Sequence, residues 1–328
     1  MPDRYHTGMP FEIHIGGPAS APLARQVAFI RRAEDLGFDG VGIADDVGHG
    51  HDVYVALALA AAQTSTIQLY PAITNPVTRH PFVLASLANS LAELAPGRVK
   101  LAIGPGDTGV AQAGLKPATI NELREAVQTI RRLLRGDAVH FGAGGESRLR
   151  EPITPTPPVV VAASGPRALE LAAEVGDEAL LTVGLDPRII QAVELHLAKG
   201  AEKAGRSIGD LPVTYYTIVS IDPDGELARE RVYPTLLKWL RKGMFRVGLG
   251  ALGIQSPTLS PPSELSQDTL AELCGLLSIA GTPGEVRERF TRLASDGVQR
   301  VFCMALGDEA SHEHTMELLG EHVIPGAK

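Results

Sequence analysis

Several short runs in the sequence carry residue types that could do chemistry. Asp45-Asp46 sets two carboxylates side by side. They are either a pair in which one raises the proton affinity of the other for acid/base work, or a loop pair that caps a following helix. Ser164-Gly165-Pro166-Arg167 combines a glycine that lets a ligand approach the backbone with a proline suited to a helix's first turn. Free N–H groups and the helix dipole would make such a start a phosphate cradle, although a plain helix start reads the same way. Gly104-Pro105-Gly106-Asp107 looks like a dinucleotide glycine loop only superficially, because Pro105 interrupts it. His49-Gly50-His51 has the spacing of a metal-binding pair, but Val161-Ala162-Ala163 and Leu181-Thr182-Val183 offer no further histidine. Solvated loop histidines, and no metal, are expected. Arg79-His80 before Pro81 is either an anion contact or a pair at the surface end of a loop.

These runs need elements to hold them, and the sequence alternates apolar or β-branched stretches with segments of helical spacing. Strands are expected at 11–15, 40–44, 67–70, 99–103, 159–162, 178–183, 213–221 and 298–304, with helices between them. Strands this apolar joined by helical crossovers imply a parallel sheet buried on both faces, and eight of them imply a closed (β/α)₈ TIM barrel of the α/β class. The seventh connection, from Asp222 to about Leu277, is much longer than the others and reads as a helical insertion at the barrel mouth. Within it, Trp239, Met244 and Phe245 are expected to bury against the barrel or to wall a pocket. Residues 1–328 thus read as one domain. In such a barrel the chemistry gathers at the carboxyl ends of the strands. The candidates there are His14 after the first strand, Asp45 and Asp46 after the second, and Thr74 and Asn75 after the third. Gly106 and Asp107 follow the fourth, Ser164 to Arg167 the fifth, and Thr182 the sixth.

Composition narrows the function. With 30 Lys+Arg against 38 Asp+Glu and no basic run, the chain has no stripe to track nucleic-acid phosphates. The two cysteines, Cys274 and Cys303, cannot form a disulfide framework, which suits a reducing cytoplasm. The first ten residues, with Arg4 and His6, lack an apolar stretch of leader type, and Val55–Ala62 is too short to span a bilayer. A cytoplasmic protein with no membrane partner is expected.

Several motifs resemble the bacterial-luciferase-like superfamily, and within it the methylenetetrahydromethanopterin reductase-like branch. They are Ala33–Gly40 leading to Ala44-Asp45-Asp46, Ile73–Pro81, Leu91–Arg98 with Ile103–Asp107, Ala163–Pro166, and Ala280–Val286. Together they cover nearly the whole chain in order. The resemblance implies a luciferase-like oxidoreductase that transfers hydride between coenzyme F420, or alternatively FMN, and a small organic substrate. The other reading is a monooxygenase using reduced FMN and O₂ from a partner flavin reductase. The resemblance further implies a phosphate at Ser164, Gly165, Pro166 and Arg167, and a cofactor ring near a non-proline cis peptide at Ala72–Ile73. Asp45, Thr74, Asn75, Gly106, Asp107 and Thr182 would contact the cofactor. Many deazaflavin-dependent relatives carry Asp-His after the second strand. Here Asp45-Asp46 stands there, so Asp45, Asp46 or His14 becomes the catalytic candidate. A homodimer is the expected assembly.

Overall fold

The computed structural model describes residues 11–142, 144–254 and 265–327. The ten N-terminal residues, and residues 255–263 of the Gly/Pro/Ser-rich stretch in the insertion, lie outside them. Eight strands form the central sheet: β1 Glu12–Gly16, β2 Gly40–Ile43, β3 Gln68–Pro71, β4 Leu101–Ile103, β5 Val159–Ala163, β6 Glu178–Leu181, β7 Val213–Ile221 and β8 Arg300–Ala305. All pair in parallel in the order β3-β2-β1-β8-β7-β6-β5-β4. Bridges Leu69↔Val99 and Thr74↔Ile103 then join the two ends of that order. The ring closes, and the fold is the (β/α)₈ barrel.

Two-residue periodicity explains the core. Odd-numbered residues such as Ile13, Ile15, Val41, Ile43 and Leu69 point outward and bury against the helices. Even-numbered residues point into the barrel, where Tyr70, Ala102, Val160, Leu180 and Phe302 form a second, inner cluster. Helices 23–35, 53–61, 81–94, 120–134, 166–175 and 187–203 follow the first six strands. Most begin at a recognisable signal, for example the Thr119/Glu122 capping box of Ile120–Leu134 and the proline in the first turn of Pro81–Leu94.

Three features differ from the sequence expectation. Val139–His140 and Glu146–Ser147 form a small antiparallel hairpin between β4 and β5, where the sequence predicts no strand. Ser278–Gly281 is an extra parallel strand on the upper half of β7, beyond the reach of β6. The nine-residue β7 is longer than the ring needs and leaves backbone groups that this short strand satisfies. The third difference is His14, which lies inside β1 and not beyond its end.

The foot of the barrel explains where His14 goes. The inward residues of the lowest layer are charged: Arg300 bridges Glu12 at 2.6 Å and Glu178 at 3.0 Å, and Lys100 meets Glu178 at 2.7 Å. His14, 1% exposed, sits directly above them. Glu12 can only accept, so Nε2–H of His14 donates to it at 3.2 Å, and Nδ1 accepts from the Tyr70 hydroxyl at 2.6 Å. Burial, together with the Lys100 and Arg300 charges, lowers the imidazole's proton affinity despite Glu12. Both nitrogens are thus committed in the barrel foot, and His14 is corrected from site candidate to interior structural residue.

Candidate active site

The opposite end of the barrel is open. Inward positions in the upper layer are small, Gly42, Ala72, Gly104 and Ala162 among them. Their size is required: a Cβ on Gly42 would lie 2.5 Å from the Ala72 Cβ, and one on Gly104 would lie 2.7 Å from Ile73. The space left above them is a cavity of about 620 Å³. Its floor is Ala72, Ile73, Ala162, Leu180 and Tyr216, with Tyr216 stacked on Phe302 at a centroid distance of 4.7 Å. The Ala72–Ile73 bond is cis, at the position the resemblance implied.

The wall after β2 and β3 is polar. Asp45 lines the cavity with a side chain only 3% exposed. Its Oδ2 accepts from the Thr74 hydroxyl at 2.6 Å and from Arg79 at 2.5 Å. Thr74 is held by its own backbone, which accepts from Gly104 N–H at 3.0 Å and donates to the Ala102 carbonyl at 2.9 Å. Asp46 faces the same space while its Oδ1 accepts from Gly48 N–H at 2.9 Å, capping the short turn Val47–His49. Asp46 is thus a cap, the second of the two readings of the acidic pair, and its carboxylate also lines the cavity. His49 and His51 are exposed, with His49 4.0 Å from Asp46. Among the described residues no cluster of three or more His, Cys, Asp or Glu is placed to hold a metal. Asn75 spends its carbonyl oxygen on the Val77 and Thr78 N–H groups, so its amide N–H₂ is what it can offer the cavity.

The facing wall comes from the other strand ends. After β4, Gly106 turns the chain at φ +91° and packs on Val110, where any Cβ would lie 2.4 Å from that side chain. The turn opens a five-residue helix, Thr108–Gln112. After β5 and β6, Ser164, Ala168 and Thr182 line the cavity. Gly165 is the N-cap of helix Pro166–Val175, and no side chain caps that helix. Leu169 N–H bonds the Gly165 carbonyl and Pro166 has no N–H, so the amides of Arg167 and Ala168 have no intrahelical acceptor. Gly165 has φ −102° and ψ 163°, and a Cβ built on it meets nothing within 4 Å. The Arg167 side chain is exposed and lies in a separate surface groove with Arg124 and Lys203.

Sequence reasoning left the roof open. Trp239 and Met244, from the insertion, wall the cavity, while Phe245 buries beneath them at 1% exposure. Lys242 of the same segment reaches Asp107 across the mouth in an ion pair. Only the tertiary fold brings residues 135 positions apart together. Burial raises the thiols of Cys274 and Cys303, and neither lines the cavity.

The family model described as luciferase-like monooxygenase matches residues 4–300. The chain belongs to that family. It is 30% identical over 324 residues to 5,10-methylenetetrahydromethanopterin reductase of Archaeoglobus fulgidus, covering 92% of this chain and 95% of that protein. It is 34% identical over 223 residues to an F420-dependent glucose-6-phosphate dehydrogenase of Beutenbergia cavernae, covering 62% and 66% of the two chains. The solved structure of the coenzyme F420-dependent tetrahydromethanopterin reductase from Methanopyrus kandleri superposes with a TM-score of 0.80 at 27% identity, covering 97% of this chain and 100% of that one.

Proposed function

We propose that this protein is an oxidoreductase that moves hydride between coenzyme F420 and a small organic substrate held in the strand-end cavity. The observation that carries the reading is the uncapped start of helix Pro166–Val175 beside a cavity with an apolar floor. Two free amides, a positive helix end and the open space at Gly165 suit a phosphate. The apolar floor of Ala72, Ile73, Leu180 and Tyr216 suits a planar ring, and the names of the relatives above favour F420.

Bound there, F420 would supply the carbon that gives or takes the hydride. The protein's own groups bind, orient and exclude water. Asp45 and the Asn75 amide present an acceptor and a donor from one wall, and Thr182 a hydroxyl from the other. Trp239 and Met244 screen the reacting region from solvent. Asp46 is the group placed to hold a proton, at Oδ2, because Oδ1 is engaged by Gly48. Ser164, Gly165 and the helix amides take the phosphate, whereas the Arg167 side chain points to the surface and would contribute through its backbone.

We also infer a homodimer formed through helices Val53–Ala61 and Pro81–Leu94. Helix Val53–Ala61 contains no charged residue, and Val55, Leu59, Val83 and Leu94 on the two helices are 42–51% exposed. A helix apolar on every side is expected to be covered on every side. Among the described residues no helix is long and apolar enough to cross a membrane, and the sparse cysteines support a cytoplasmic site of action.

The test is turnover. F420, oxidised or reduced, is incubated with the protein and a panel of secondary alcohols, sugar phosphates and methylene-pterins while its visible absorbance is followed. A substrate-dependent change supports the reading. No change with F420, together with O₂ consumption on reduced FMN supplied by a flavin reductase, overturns it in favour of the monooxygenase.

A further inference from the structure

Asp45 is held in an asymmetric way. Its two side-chain partners among the described residues, the Thr74 hydroxyl and Arg79, both bond Oδ2. Oδ1 takes no hydrogen bond from any described residue, and Asp45 lines the cavity. Behind it, the Arg79 side chain is 14% exposed, and its guanidinium is held at both terminal nitrogens and over one ring face. One terminal nitrogen reaches Asp45, the other reaches Asp52 Oδ2 at 2.8 Å, and Cζ lies 5.1 Å from the Tyr54 ring centroid. Asp52 is itself fixed, since its Oδ1 caps helix Val53–Ala61 by accepting from Tyr54 N–H at 2.8 Å. Arg79 stands two residues before helix Pro81–Leu94, whose start is capped by His80. The starts of two helices thus converge on one guanidinium, and that guanidinium on one oxygen of Asp45.

We propose that Arg79 is a positioning residue that turns Asp45 Oδ1 into a fixed acceptor, so that a ligand is read by an N–H or O–H donor presented to that oxygen. A carboxylate oxygen only accepts, so the ligand must bring the hydrogen. Deazaflavin and flavin rings share one such group, the imide N–H. The inference rests on the cofactor reading above and adds what selects the ring and which residue enforces it. Lysine could not replace the fork, because its ammonium is a point charge on a flexible stem that cannot hold both carboxylates in one plane.

The experiment compares the binding of F420 and FMN with that of their imide-N-methylated forms, followed by Trp239 fluorescence, in the wild type and in Arg79→Ala, Arg79→Lys and Asp52→Asn. Methylation should weaken wild-type binding by about tenfold or more, the size expected for losing a hydrogen bond to a charged group. Arg79→Ala should bind parent and methylated rings within about threefold of each other, since the discriminating oxygen is no longer held. Arg79→Lys and Asp52→Asn should fall between. A merely structural arginine would weaken both rings alike and keep their ratio, which overturns the proposal; so does a wild type that binds the two forms equally. If Arg79→Ala does not fold, the ratio in Arg79→Lys and Asp52→Asn decides in the same way. A wild type that binds neither parent ring overturns the cofactor reading, and this proposal with it. Binding with an unchanged ratio in the variants overturns this proposal alone.

Discussion

Gly165→Val separates the stability of the phosphate cradle from its use. The backbone there, at φ −102° and ψ 163°, is extended and open to any L-residue, and the space around an added Cβ is empty to 4 Å. Replacing glycine at a compatible position stabilises by about 0.4–1 kcal/mol through the unfolded chain. Valine is a poorer N-cap than glycine, which costs an amount of the same order, roughly up to 1 kcal/mol. The net change in folding stability is therefore expected to lie within about 1 kcal/mol of zero. Binding should respond quite differently. A side chain in front of the Arg167 and Ala168 amides displaces an anion that gains charge-assisted hydrogen bonds of about 1.5–3 kcal/mol, a rise in Kd of roughly 10- to 150-fold. The assay is titration with F420 and with the corresponding deazaflavin riboside, which lacks the phosphate, alongside chemical denaturation of both proteins. F420 affinity should drop while riboside affinity changes by less than about threefold, a difference under 0.7 kcal/mol. Equal loss for both ligands would mean that valine disturbs the floor and not an anion site. No loss for either would place the phosphate elsewhere and refute the reasoning.

Two further outcomes follow from the same structure. Burial by itself would raise the Glu12 carboxyl, but the hydrogen bond from His14 and the Arg300 charge hold it down to about 2 against 4.5 in an open chain. That difference is worth about 3 kcal/mol at neutral pH, present above pH 4.5 and lost as pH falls toward 2. His14, whose folded proton affinity is lowered, acts in the same direction below its ordinary value of 6.5, because only the unfolded chain then takes up the proton. Denaturation midpoints should thus fall steadily below pH 6.5, and Glu12→Gln should be less stable at pH 7 and lose less between pH 4.5 and 3; parallel profiles would contradict the assignment. Separately, light scattering should give twice the 34.7 kDa chain mass for the wild type and the single mass for a Val55→Glu, Leu59→Lys double variant of unchanged helicity. A monomeric wild type would refute the dimer face.

Much of this molecule is legible before any coordinates. Runs such as Val159–Ala163 followed by Ser164-Gly165-Pro166 announce a buried strand and then a helix, because β-branched residues, a glycine and a proline each have one comfortable place. The cavity residues after β2 to β6 follow from the rule that strand ends carry the site. What was hidden depends on distant pairing. His14 falls inside the alternating run Phe11, Ile13, Ile15, one residue from its carboxyl end, and so is counted with the strand-end residues. Its inward parity matters only once Glu12, Lys100, Glu178 and Arg300, scattered over 288 positions of sequence separation, meet in one layer. Ser278–Gly281 has only Ile279 as a large apolar residue, and is a strand only because β7 leaves an edge beside it. Arg79 looked like a loop-end cation with a possible anion, and the anions proved to be the protein's own Asp45 and Asp52. In the roof, Trp239 and Met244 are legible as large apolar residues of a long connection, whereas Lys242 carries no signal in the sequence.

The central claim is that the strand-end cavity holds coenzyme F420, and the sole tryptophan of the chain lies in its wall. Titrating the protein separately with F420 and FMN while following Trp239 fluorescence tests that claim most directly. The account predicts saturable quenching by F420, at lower concentration than by FMN, and loss of the signal but not of binding by calorimetry in Trp239→Phe. Tight FMN binding with no response to F420 would contradict it.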